Sequence, residues 1–437
     1  MAVASSLTAV AQQKWTLRDC IDYAMQNNIT LKQSLLKEQT ATETRKQSQA
    51  ALLPSLNAQT NQNFGYKPWM ETGTTTISNG TLDNKVTKSY YSSKYGLSAS
   101  WTVWNGNQNH NQVKINKLAE EQAELTTLET ANSIQEKISR LYIQILYTSE
   151  AISVNEQSLE ASKKNEERGR LMVEVGSMSK AELAQLTAQR ATDEYNIVEA
   201  KSNLANYKLQ LKQLLEITGD QQFDIAIPAT SDQQALSMIP TLNSVYETAL
   251  AQRPEIKNAE LAIEASDVQM KIAKAGHMPT VSISGGVNTS TSSNNSKKWG
   301  KQIKTNFDAA AGVGISIPLF DQRKTRTAVN KAHIQREQAL LDMQSKQKKL
   351  YLDIETCWLD AHNNQEKFRA AQASVASQQA SYDLLSEQFQ LGLKNIVELM
   401  TGKANLLKAQ QSRLQSKYST ILNQQLLKFY QGETLNI

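Results

Sequence analysis

The chain has 437 residues, is 40% hydrophobic and 20% charged, and carries a formal net charge of +5. Its mean hydropathy is -0.50, and it holds no run of about 18 apolar residues, which excludes a helical membrane protein. Two cysteines (Cys20, Cys357), four scattered histidines and the lack of a Gly-rich phosphate loop or HExxH motif argue against an enzyme, a cofactor or a metal centre, and the mild basic excess is no footprint for nucleic acid.

Residues 1–11 are small and apolar and end in Ala9-Val10-Ala11. They read either as a clipped export signal, with the small-x-small pattern of a cleavage site, or as an unrelated apolar start. Thr16 is a plausible N-cap for a helix over 16–28, and a second helix spans 30–53. Pro54 ends it, because a proline disfavours helical backbone in the residue before it. Period-two alternation follows near 54–66 and again near 92–104. There Tyr95, Leu97, Ala99, Trp101 and Val103 alternate with Gly96, Ser98, Ser100, Thr102 and Trp104.

No proline or glycine occurs between Gly106 and Gly169, or between Pro318 and Gly392. A Pro costs about 3 kcal/mol inside a helix and a Gly about 1, so very long helices survive in such gaps. The first gap predicts a helix over 107–168, roughly 90 Å at 1.5 Å per residue. Ile134, Ile138, Leu141 and Ile145 give it a narrow coiled-coil-like seam. A break at 169–179 precedes a return helix over 180–216 that ends at Gly219. Residues 220–241 read as a linker holding a short apolar strand at 223–227.

The chain then repeats itself. Leu17…Ala24 recurs as Leu242…Ala249, and Leu53-Pro54-Ser55-Leu56 as Met278-Pro279-Thr280-Val281, both 225 positions on. Trp104-Asn105, Tyr142, Val175-Gly176 and Glu182-Leu183 recur 216 positions on as Phe320-Asp321, Trp358, Leu391-Gly392 and Glu398-Leu399. The domain reading is therefore a first repeat over 12–219 with a helical hairpin at 106–216, the linker at 220–241, and a second repeat over 242–437. The second repeat has strands near 279–289 and 309–319, a hairpin at 321–430, a break at 391–395 and a return helix from 396 to about 429.

The strands have one apolar and one small, polar face. That suits a half-buried sheet on a soluble core, or a transmembrane β-barrel with lipid outside and water inside. Tyr95, Trp101, Trp104 and Trp69 are candidate membrane-interface aromatics. Four strands cannot close a membrane barrel, so the barrel reading requires an oligomer: two copies give eight strands and three give twelve. The competing reading is an elongated soluble coiled-coil scaffold or tether, which gives the strands no role.

In its duplication, its opening helix with Asn27-Asn28, its Leu53-Pro54-Ser55-Leu56 passage, its ending at 211–219 and its Gly392-Leu393-Lys394-Asn395-Ile396-Val397-Glu398-Leu399 segment, the chain resembles the TolC-type outer membrane efflux proteins. The resemblance implies a mainly α fold with a transmembrane β-barrel portion. Three protomers would share a 12-stranded barrel in the outer membrane of a Gram-negative bacterium, continued by an α-helical barrel in the periplasm. It implies a passive duct with a periplasmic adaptor and an inner-membrane pump as partners, and no cofactor. It also implies a periplasmic constriction at Glu398, with Lys394 beside it and Glu182 as first-half equivalent and candidate partner. The family's second acidic position falls here on Thr401. The tips Val175, Gly176, Ser177, Leu391, Gly392 and Leu393 would face the adaptor. From the residues alone, Glu398 and Glu182 could equally be solvated helix-surface acids, and the tip glycines plain turn residues.

Overall fold

In a computed structural model the described residues are 14–436, apart from 70–72, 78–79, 85–87, 220–222, 229, 294 and 296. The expected export signal at 1–11 and part of the linker lie outside them. The chain divides into two compact units. One holds the described residues through Lys37 with 123–260 and 342–436; the other holds 38–122 and 261–341.

The helices begin with α1 (Leu17–Asn27) and α2 (Ile29–Ala50). Thr16 caps α1 in a reciprocal capping box with Asp19. The two helices are divided at buried Asn28. Its Oδ1 accepts from the Leu31 backbone N–H at 3.2 Å, and its Nδ2 donates to the Leu214 carbonyl at 2.9 Å. It therefore starts one helix and satisfies the end of another. At the equivalent place in the second repeat, Arg253 separates α6 (Leu242–Gln252) from α7 (Pro254–Ala275). Its guanidinium stacks over Phe429 and Tyr430 and bonds Glu255 at 3.0 Å.

Two 67-residue helices, α3 (Gln108–Glu174) and α9 (Lys324–Gln390), fill the breaker-free gaps. Each turns back into a 35-residue helix, α4 (Lys180–Leu214) and α10 (Ile396–Tyr430). The first unit buries Ile134, Ile138 and Ile145 of the expected seam with Leu17, Ala24 and Leu211, while Leu141 packs at the edge of that cluster. A second cluster gathers Leu350, Ile354 and Cys357 with Val245, Ala249 and Leu426. Gly169 lies inside α3, not in the break expected at 169–179. Its role is close packing: a Cβ there would come 2.5 Å from Leu186 Cδ1. The linker makes one parallel bridge, Trp15 with Ile225, where a short strand was expected, followed by the short α5 (Asp232–Ala235).

The second unit carries the sheet. Its order is β1 (Ser55–Tyr66), β4 (Ser89–Trp104), β5 (Thr280–Ser292) and β6 (Asp308–Ser316), all antiparallel. The repeats thus meet at β4–β5, and β1 and β6 are the edges. The connection after β1 contains a hairpin, β2 (Gly73–Ile77) with β3 (Gly80–Asn84). The connection after β5 contains a short helix, α8 (Trp299–Thr305), between the expected strands.

The register sorts the strand residues. Leu56, Ala58, Leu97, Ala99, Trp101, Ile283, Val287, Val313 and Ile315 share one face; Asn57, Gln59, Ser98, Ser100, Ser284, Gly312 and Gly314 share the other. Strict alternation puts Trp104 on the polar face. A register shift between Thr102 and Trp104 sets Trp104 opposite Val281 instead, on the Trp101 side.

The strand-to-helix passages repeat at the level of backbone angles. Gly106 (φ 66) and Asn107 (φ 64) correspond to Gln322 (φ 52) and Arg323 (φ 67), all left-handed. Glycine serves the first passage for a further reason: a Cβ at Gly106 would meet Met278 Cβ at 2.7 Å.

Candidate functional site

The two hairpin tips are built alike. Gly176 (φ 75) and Gly392 (φ 73) take left-handed conformations that only glycine adopts without strain, and each lets a long helix reverse. Ser179 caps α4, and Asn395 caps α10 by accepting from the Glu398 backbone N–H at 2.9 Å. Leu186, Phe389, Ile396 and Leu399 form a small buried cluster that joins the hairpins. Arg168 adds a bond to the Gln390 carbonyl at 3.2 Å.

The residues expected at a constriction fall on this frame. Glu398 pairs with Lys394 at 3.1 Å, the two side chains being 41% and 40% exposed, so its charge is partly offset within the protomer. The Glu182 carboxylate accepts from the Ser179 backbone N–H at 2.9 Å and from its hydroxyl at 2.8 Å. Those bonds hold its pKa below the usual range. Glu182, Lys394 and Glu398 line one cavity of about 460 Å³, with no bond between the two acids. Thr401 is exposed one turn further along α10.

At the outer edge of the tips, Val175, Leu391 and Leu393 are 78%, 68% and 69% exposed. Val175, Ser177, Leu391 and Gly392 also border a groove of about 850 Å³ with Lys163, Lys164 and Arg168. Among the aromatics, Trp101 and Trp104 lie where the sheet meets the helices, and the Trp101 indole N–H donates to the Leu52 carbonyl at 2.8 Å. Tyr95 lies toward the other end, and Trp69 is 90% exposed beyond β1.

The fold agrees with known proteins. Residues 20–216 and 245–433, nearly the whole of both repeats, match the family described as outer membrane efflux protein. This chain belongs to that family. It is an outer membrane efflux channel of the Gram-negative type. The outer membrane protein TolC of Escherichia coli (strain K12) is 21% identical over 371 residues, 78% of this chain and 74% of its own. The outer membrane efflux protein BepC of Brucella suis biovar 1 is 20% identical over 417 residues, 95% of this chain and 85% of its own. A crystal structure of CusC superposes with a TM-score of 0.81 at 18% identity, covering 96% of this chain and 92% of that one.

Sequence reasoning missed the polar network behind this channel's tips. Lys403 on α10 reaches across to Asp193 on α4 and Ser162 on α3, and both ends of the ion pair are buried. Asp193 also accepts from Ser162 Oγ at 2.6 Å and from the Gln189 side-chain amide at 3.0 Å. Desolvation holds the Lys403 pKa below its ordinary value despite its partner. Nearer the tip, buried Glu166 accepts from Arg190 at 2.6 Å, Thr187 at 3.0 Å and Arg170 at 3.2 Å. No local pattern marks these residues, since they sit in uniformly polar helices. Gly402, next to Lys403, is buried against Leu385, where a Cβ would come 2.6 Å from Leu385 Cδ1.

Proposed function

We propose that three copies of this chain form one passive duct, with a shared 12-stranded barrel in the outer membrane and a helical barrel in the periplasm. The observation that carries this reading is the open sheet. Its outer strands β1 and β6 are exposed along nearly their whole length, and one face is apolar. Unpaired backbone on such edges is not tolerated in lipid. Joining β6 of one copy to β1 of the next satisfies both edges at once. Eight strands enclose an interior filled by side chains, whereas twelve leave a lumen for water, so three copies suit a conduit better than two. Asn57, Gln59, Ser98 and Ser284 would face that lumen. A soluble scaffold leaves the apolar face without a partner.

The exposed tips then dock a periplasmic adaptor, which connects the duct to an inner-membrane pump. Three copies of Glu398 form the constriction, each tempered by its own Lys394. A ring of carboxylates in a narrow mouth concentrates cations. Single-channel recording in planar bilayers tests this. Glu398→Gln weakens block by divalent and hexammine cations, and Lys394→Gln strengthens it. Unchanged block in both variants refutes the gate assignment, and absence of any conductance in the native chain refutes the duct.

A further inference from the structure

The helix α8 interrupts the β5–β6 connection and has no part in the conduit as described. Its sequence and its placement agree on a purpose. Lys297, Lys298, Lys301 and Lys304 fall within eight residues, and no Asp or Glu occurs between Asp267 and Asp308. All four side chains are exposed, and none of their ammonium groups is ion-paired among the described residues. Trp299 and Phe307 are also exposed, at 58% and 59%.

The register says which side of the sheet α8 occupies. Trp299 makes an edge-to-face contact with Tyr95, at a centroid distance of 6.5 Å. Thr289 Oγ1 donates to the Ile303 carbonyl at 2.8 Å. Tyr95 and Thr289 pair with each other and belong to the face that carries Leu97, Val287, Trp101 and Ile283. The helix is therefore seated on the apolar face, at the end of the strands remote from the long helices. It is also held firmly. The buried Gln302 amide accepts from the Ser292 N–H at 2.8 Å and donates to the Ser292, Asn295 and Lys297 carbonyls.

An apolar strand face ending in Tyr and Trp, topped by lysines, has the layering of a membrane surface: hydrocarbon, interface, charged headgroup. The outer leaflet of such a membrane is rich in phosphorylated glycolipid, and clustered lysines on an interfacial segment bind anionic headgroups. We infer that α8 and its flanking lysines form a docking surface for the phosphate groups of outer-leaflet glycolipid, with Trp299 and Phe307 set among its acyl chains. This rests on the barrel reading, which places the apolar face against lipid.

The test uses the full chain, extracted in detergent, and fluorescently labelled lipid A carrying both phosphates, followed by anisotropy. The native chain binds saturably, and binding weakens as salt rises. The Lys297→Gln/Lys298→Gln/Lys301→Gln/Lys304→Gln variant binds at least tenfold more weakly. The native chain shows the same loss with dephosphorylated lipid A, and millimolar inorganic phosphate fails to compete. Equal binding by native and variant chains, indifference to the lipid phosphates, displacement by inorganic phosphate alone, or equally tight binding of an anionic polysaccharide lacking acyl chains would each overturn the inference. These exposed substitutions leave the fold intact, which far-UV dichroism checks. A chain that needs no detergent would instead refute the barrel reading, so the two failures are distinct.

Discussion

Replacing Lys403 with Met is the sharpest perturbation of the tip. It keeps most of the side-chain length but leaves Asp193 buried with only the Ser162 hydroxyl and the Gln189 amide. Breaking a buried ion pair from one side typically costs about 3–5 kcal/mol. Hydrogen exchange reads this locally. Amides of α4 and α10 around positions 193 and 403 should open about 10²–10³ times more often at pH 7. Asp193→Leu added to Lys403→Met should recover most of the protection, since an apolar pair of similar volume avoids the desolvation cost. Protection within threefold of native in Lys403→Met, or a double variant as weak as the single one, would refute the reasoning.

Three further outcomes are expected. The carboxyl of Glu166 is pushed up by burial, but bonds from Thr187 and Arg170 and the charges of Arg190 and Arg170 outweigh this and hold it below its ordinary value of 4.5. Its contribution to stability is therefore present above pH 4.5 and lost as pH falls through the depressed value. Exchange near Thr187 and Arg190 should accelerate there in the native chain and stay flat in Glu166→Gln, measured by the same method. Gly106→Gln should destabilise by about 2 kcal/mol or more, through left-handed strain plus the clash at Met278, whereas Gln322→Gly at the matching position should be neutral or mildly stabilising. Thermal dissociation of the detergent-extracted particle distinguishes the two; equal shifts would contradict the backbone reading. Met172 and Met178 border the small tip cluster, so Leu186→Ala should lose about 2–4 kcal/mol of local protection, partly relieved by their flexible repacking.

Much of the architecture is legible because the signals are long and mutually consistent. Pro54 and Pro279 mark the passages into strands, Gly176 and Gly392 the tips, and the gaps between breakers the long helices. What escaped depends on partners distant in sequence. Gly169 resembles a breaker, yet Leu186 on the returning helix makes a small residue necessary there. Trp104 changes face because of a bulge against β5, which no alternation pattern in β4 records. The seven residues of α8 are too few to show a helical period. At the tip, the internal repeat and the family resemblance pointed to Val175, Leu391 and Glu398. Nothing local separates Lys403 from the many solvated lysines, since its burial arises from Asp193 on another helix. The pairing of Glu398 with Lys394 is different: its i, i+4 spacing at a helix start was readable.

The central claim is that three copies close one another's sheet edges. The protein mass of the particle extracted from outer membranes in mild detergent, with bound detergent subtracted, tests it most directly. Three times the 48.7 kDa of one chain, with threefold symmetry in images of the same sample, is the predicted result. A monodisperse single chain recovered without detergent, or a particle of two chains, would contradict it.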